Sequence, residues 1–121
     1  MGKLLIVEDD ESVRMFTARA LIASGHTVET AADGEDGLAA VIAAQGQFDL
    51  VLSDIRMPVM DGIEMAKKAA AAFPDLRILL MTGYAEQRER AAELESIVID
   101  VVSKPFTLAE IRNKVRDALA R

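Results

Sequence analysis

The sequence predicts an α/β fold of the doubly wound kind, a five-stranded parallel sheet with helices on both faces. Three observations predict it. Short β-branched or leucine-rich runs alternate with helical patterns five times in 121 residues. Three of those runs are continuously apolar, as strands covered on both faces tend to be. The joins between runs and helical patterns are short, which suits strand–helix–strand units.

The elements follow in order. "KLLIV" (3–7) is the first strand and runs into Glu8, Asp9 and Asp10. A helix follows with Val13, Phe16, Thr17, Ala20 and Leu21 on one face, and it stops at Gly25, a residue suited to a helix C-terminus. "TVETA" (27–31) is the second strand, and the second helix starts near Asp33 and presents Leu38, Val41 and Ile42. "DLVLS" (49–53) is the third strand and leads to Asp54. The third helix runs from about Gly62 to Phe73, with Ile63, Ala66 and Ala70 on one side and Pro74 to end it. "RILLM" (77–81) is the fourth strand and leads to Thr82 and Gly83. The fourth helical pattern, "AEQRERAAEL" (85–94), is short and strongly charged. "IVIDVV" (97–102) is the fifth strand and leads to Ser103, Lys104 and Pro105. The last helix opens on Thr107 and Glu110 at capping-box spacing, with Leu108, Ile111, Val115 and Leu119 as its apolar stripe.

Composition narrows the function. Hydrophobic residues make up 51% and aromatics 4%, so the core is built from aliphatic side chains and methionine. Met57, Met60, Met65 and Met81 are read as core or loop packing. A formal net charge of -6 argues against direct DNA binding through a basic surface. No apolar run reaches membrane-spanning length, the N-terminus turns acidic too early for a signal peptide, and Ile6 stands where a myristoylation signal needs Ser or Thr. With no cysteine there is neither a disulfide framework nor thiolate chemistry. The expectation is a single domain over residues 1–121 with no output domain, cytoplasmic, and a monomer or weak homodimer.

In open α/β sheets the ligand site lies at the carboxyl ends of the strands. Those ends gather Glu8, Asp9, Asp10, Asp54, Thr82 and Lys104. Clustered carboxylates repel unless a cation joins them, and oxygen donors without nearby His or Cys suit Mg²⁺. Such a site leaves room for phosphate oxygens, which a lysine and a hydroxyl can hold. An aspartate in its middle can serve as nucleophile and form an acyl phosphate. On this reading Asp54 is a phosphoacceptor.

"LLIVEDDE", "LVLSDIRMPVMDG", "LLMTGY" and "VVSKPF" stand in the order and spacing of the response-regulator receiver domain of two-component signalling, and the chain resembles that family over essentially its whole length. The resemblance implies a flavodoxin-like (βα)5 sandwich with strand order 2-1-3-4-5. It implies that Asp54 takes a phosphoryl group from a sensor histidine kinase or phosphotransfer protein. Asp9 is then the direct Mg²⁺ ligand beside Asp54, Glu8 acts through water, and the backbone carbonyl of Arg56 completes the set. Asp10 is an extra acid that can instead cap the first helix. Thr82 matches the switch hydroxyl and Lys104 the phosphate-pairing lysine, with Pro105 following through a cis bond.

The chain departs from the family at Val101, three residues before the lysine, where Tyr or Phe is common. Tyr84, the only tyrosine, is the candidate to take over part of that readout. "MTGYAEQRERA" and "SKPFTLAEIR" look most like stand-alone receivers of the CpdR type, which in alphaproteobacteria work by protein contact, including delivery of substrates to a protease. The expected output is a change of the surface formed by the fourth helix, fifth strand and fifth helix, read by a separate downstream protein effector. Alternatives are a phosphate shuttle in a phosphorelay and a receiver-like scaffold that is never phosphorylated.

Blander readings compete at each position. Asp54 as a simple cap is disfavoured by the four polar groups in register with it. The charged fourth helical pattern is by default a solvated face, and His26 is read as exposed and without a role. An aspartate-nucleophile phosphatase would need a carboxylate at position 56, where Arg56 stands. The chain is therefore expected not to be an enzyme, beyond catalysing its own phosphorylation and dephosphorylation. A flavin-binding electron carrier would need a phosphate loop rich in Ser, Thr and Gly, where "EDDES" stands.

Overall fold

The sheet is parallel throughout and ordered β2-β1-β3-β4-β5. The structure is a computed structural model that describes residues 2–83, 90, 94 and 96–121. Its strands are β1 (Lys3–Val7), β2 (Thr27–Ala31), β3 (Leu50–Asp54), β4 (Ile78–Thr82) and β5 (Asp100–Ser103). Its helices are α1 (Glu11–Ala23), α2 (Gly34–Ala43), α3 (Gly62–Ala72) and α4 (Leu108–Leu119). The predicted charged helix at 85–94 falls largely outside the described residues, and Tyr84 lies outside them altogether. Among the described residues no helix is long and apolar enough to cross a membrane.

Alternation along the strands divides the core in two. Leu5, Val7, Val51, Ile78 and Leu80 face the α2–α3 side, where Val41, Ile63, Met65 and Ala66 meet them. Leu4, Ile6, Leu50, Leu52, Leu79 and Met81 face the other side, against Leu21, Ile111 and Val115 of α1 and α4. Burial on both faces explains why β1, β3 and β4 are continuously apolar. Each helix begins on a side-chain cap: Asp10, Asp33, Asp61 and Thr107 accept from the N–H groups of Val13, Asp36, Glu64 and Glu110. Thr107 and Glu110 form the expected capping box.

The boundaries move in instructive ways. β3 and β4 extend one residue further than the apolar pattern, through Asp54 and Thr82, because the ladder pairs Asp54 with Met81 and Thr82 with Ser103. β5 starts at Asp100, not at residue 97. The apolar residues before it are buried by a turn in which the Ile97 and Val98 N–H groups bond the Leu94 carbonyl at 2.8 Å. Ile42 and Leu108, predicted to face the core, are exposed, as is Phe16. On α3 the buried stripe runs through Met65 and Ala69, with Ala70 half-buried beside it. His26 is half-buried and accepts a hydrogen bond, so it is not the free surface residue expected.

Candidate functional site

The carboxyl edge of the sheet assembles the site from four strand ends. β1 and β3 are neighbours, so Glu8 and Asp9 follow Val7 at the edge where β3 ends in Asp54. Lys104 follows β5, and its N–H donates to the Thr82 carbonyl at 2.8 Å, which ties the lysine to the end of β4. The Lys104–Pro105 peptide is cis, as the resemblance implies. Glu8, Asp9, Asp54, Arg56 and Lys104 line one open cleft with Gly83.

Within it Lys104 reaches both buried acids. Its Nζ lies 2.6 Å from Glu8 Oε1 and 3.2 Å from Asp54 Oδ2. Glu8 is fully buried, Asp54 is 7% exposed and Thr82 2%, while Asp9 sits out in solvent. The second Asp54 oxygen, Oδ1, accepts from the Ile55 N–H at 3.1 Å. Burying an unpaired carboxylate is costly, and two beside each other cost more. Burial first, and then the adjacent Asp54, push the Glu8 pKa up to about 8 against the pull of Lys104. Burial would lower the Lys104 pKa, but Glu8 and Asp54 outweigh it and hold the ammonium form above its usual range.

The acids also fit a hard divalent cation. Carboxylate oxygens of Glu8, Asp9 and Asp54 lie within 4.8 Å of one another. Glu8 Oε2 is buried with no hydrogen-bond partner among the described residues. An orphaned, inward-facing oxygen beside two further carboxylates calls for a cation or its bound water. Arg56, two residues after Asp54, lines the same cleft. Asp10 lines the same cleft but is not one of the three clustered acids, and its carboxylate caps α1 by accepting from the Val13 N–H at 3.0 Å.

Three positions that hold the site were not singled out from sequence. Arg14 donates to the Glu8 carbonyl at 2.9 Å and fixes the β1–α1 turn. Ser53 Oγ donates to the Asp54 carbonyl at 2.9 Å. Gly62 presses on that carbonyl so closely that an added Cβ would stand 2.1 Å from the oxygen, while its N–H donates to the Ile55 carbonyl at 2.7 Å. Strand end and following loop are thereby locked together. Gly62 ends the quoted "MPVMDG" motif, but only the fold reveals the contact. Val59 in that loop has φ 71° and is 75% exposed, a strained backbone for a β-branched residue. Val101 sits half-buried on β5 and packs against the α2–α3 side of the core, at the position where the family commonly has a ring.

Comparison with known proteins agrees with this geometry. Residues 4–116 match the response regulator receiver domain family. The response regulator MprA of Mycolicibacterium vanbaalenii is 35% identical over 119 residues, covering 98% of this chain and 51% of its own, so the chain spans about half the length of that relative. Among solved structures, the chemotaxis response regulator CheY4 of Vibrio cholerae superposes with a TM-score of 0.87 at 30% identity, covering 98% of both chains. TrrA of Thermotoga maritima, solved in complex with Mg²⁺ and BeF, gives a TM-score of 0.87 at 30% identity over 98% of this chain and 99% of its own.

Proposed function

The chain belongs to the response regulator receiver domain family, and from that premise we propose that it is a phosphorylation switch with Asp54 as phosphoacceptor. The observation that carries the reading is the Asp54 carboxylate, almost fully buried at a strand end, 3.2 Å from Lys104 and clustered with Glu8 and Asp9. In the reaction an Asp54 Oδ forms a bond to phosphorus while the bond to the donor's imidazole nitrogen breaks, and the imidazole keeps the departing electron pair. Lys104, already held between the two acids, turns its ammonium to a phosphoryl oxygen. The Thr82 hydroxyl, buried at the adjacent strand end, supplies a second donor. Glu8, Asp9, Asp54 and the Arg56 carbonyl are the groups that would hold Mg²⁺, whose charge neutralises the transferring oxygens when it is bound. The chain acts on no substrate but its own aspartate.

New charge at Asp54 draws on Lys104 and Thr82, both joined to β5 through the Lys104 N–H and the Thr82–Ser103 pair. The surface of β5 and α4 is the readout, and a partner that prefers one form shifts the population by its difference in affinity. We assign the phosphodonor to a histidine kinase or phosphotransfer protein and the output to a separate protein. A protease-adaptor role of the CpdR type is the narrower form of that assignment. Tyr84 replaces the ring missing at Val101 in the same reading. Tyr84→Ala should then slow or spectrally alter the switch, and an unchanged rate with an unchanged activated spectrum refutes that part.

Intact mass after incubation with acetyl phosphate and Mg²⁺ tests the core of the proposal. A single phosphoryl adduct is expected, absent in Asp54→Asn and in EDTA. An adduct that survives Asp54→Asn, or none at all on folded protein with metal present, overturns it.

A further inference from the structure

The outer face of α1 is apolar where a surface helix is ordinarily charged. Met15, Phe16 and Ile22 are exposed on it, and the exposed charges of the helix are Glu11 and Arg19. Arg14 is half-buried and directed to the Glu8 carbonyl. Six large apolar side chains are exposed among the described residues, and three of them, Met15, Phe16 and Leu108, line one depression of about 630 Å³ between α1 and α4. Single exposed apolar residues need no explanation, but a cluster does.

Phe16 also walls a second depression, of about 600 Å³, which continues through Val13, Pro105 and Phe106 to Lys104. The Phe16 and Phe106 rings lie 6.5 Å apart, tilted by 36°. Through Phe16 the two depressions join into one surface, which neither the phosphoacceptor chemistry nor the β5 and α4 readout uses.

The charges on α1 say what covers it. Glu11, Met15 and Arg19 stand four residues apart, so they form one ridge along the helix. At a rise of about 1.5 Å per residue, acid and base lie about 6 Å to either side of Met15. A two-fold axis through Met15 lays the ridge of a second copy antiparallel to the first, and Glu11 of each copy then faces Arg19 of the other. Ridges of this kind interdigitate in the commonest class of helix packing. Both groups are open to such pairing. Lys3, Lys68, Arg90, Lys104, Lys114 and Arg116 have carboxylate partners within the chain, whereas no ion pair among the described residues includes Glu11 or Arg19. Arg112, also on the wall, lies off the ridge and makes a 3.5 Å bond to the Ala20 carbonyl. An unrelated protein would need its own acid and base at this spacing; a second copy has them by symmetry.

We propose that the protein forms a symmetric dimer through α1, with Met15 at the two-fold axis, Phe16 and Leu108 under cover, and Glu11 paired with Arg19 at both ends. Sedimentation equilibrium of the full chain in EDTA, without phosphodonor, tests it. A monomer–dimer equilibrium is expected. Glu11→Arg and Arg19→Glu each set like charges against one another on both sides of the axis and should weaken the dimer at least about tenfold. Combining the two changes restores opposite charges and should return the dissociation constant to within about threefold of wild type. Monomer alone up to about 1 mM overturns the proposal, as do single changes without effect or a swap that fails to rescue them. Asp54→Asn should dimerise as wild type does, and a dimer lost in that variant overturns the assignment to α1. Because Asp54→Asn removes the phosphoacceptor and leaves α1 intact, the two readings fail separately.

Discussion

The two edges of one sheet treat charge in opposite ways. At the carboxyl edge Glu8 and Asp54 are driven into the protein and share one ammonium, that of Lys104. At the amino edge Arg112 and Arg116 stay exposed and hold nothing tightly. The difference teaches where electrostatic free energy is stored. Buried charges that depend on a single partner resist any change in charge, so a phosphoryl group or cation arriving there must rearrange its neighbours. Solvated arginines give up little when altered.

The contrast is broken most directly at Lys104. Lys104→Met leaves two buried acids without their cation and should cost about 3 kcal/mol in urea unfolding at neutral pH. An unchanged midpoint would mean that the pair is not what holds the edge together.

Acid titration sharpens the same point. In the folded chain Glu8 releases its proton at about 8, against 4.5 for an ordinary glutamate. Between those values the folded state holds a proton that the unfolded state has lost. Its contribution to stability is therefore full below 4.5 and declines as pH rises towards 8, by at most ~1.4 kcal/mol per pH unit. In EDTA, the stability difference between wild type and Glu8→Gln should follow that slope. A flat difference would show that Glu8 is ionised throughout.

Next in size is the loop beyond Asp54. Val59→Gly removes a side chain from a positive-φ backbone and should raise stability by about 1 kcal/mol in the same unfolding assay. At the other edge, Arg112→Ala should move the urea midpoint by less than about 0.5 kcal/mol. A larger loss would mean that the amino edge is as tightly bound as the carboxyl edge.

Much of this was legible in the sequence where burial and periodicity coincide. β1, β3 and β4 announce themselves because both faces are covered, and the caps at Asp33 and Thr107 stand at their expected spacing. Polar residues misled the reading of strand ends. Asp54 and Thr82 look like the start of loops, yet both are buried and in register with a neighbour. The run at 97–102 reads as strand because Val98 must be buried, although a turn buries it. The motifs brought Glu8, Asp9, Asp54, Thr82 and Lys104 to one edge. Gly62's contact with the Asp54 carbonyl and the meeting of Phe16 with Phe106 depend on the fold, and no local pattern carries them.

Strand order has a consequence for how the protein is made. β1 pairs with β2 on one side and β3 on the other, with Val7 opposite both Ala31 and Ser53. The first strand of this sheet to be synthesised is thus an inner strand of the finished sheet. Until residues 50–54 have emerged, its apolar segment Leu4–Val7 has one open edge and lacks most of its cover. At about 5–20 residues per second that interval lasts roughly 2 to 10 s. During it the nascent chain offers an unpaired hydrophobic strand to other chains, and a chaperone at the ribosome has its most useful moment there.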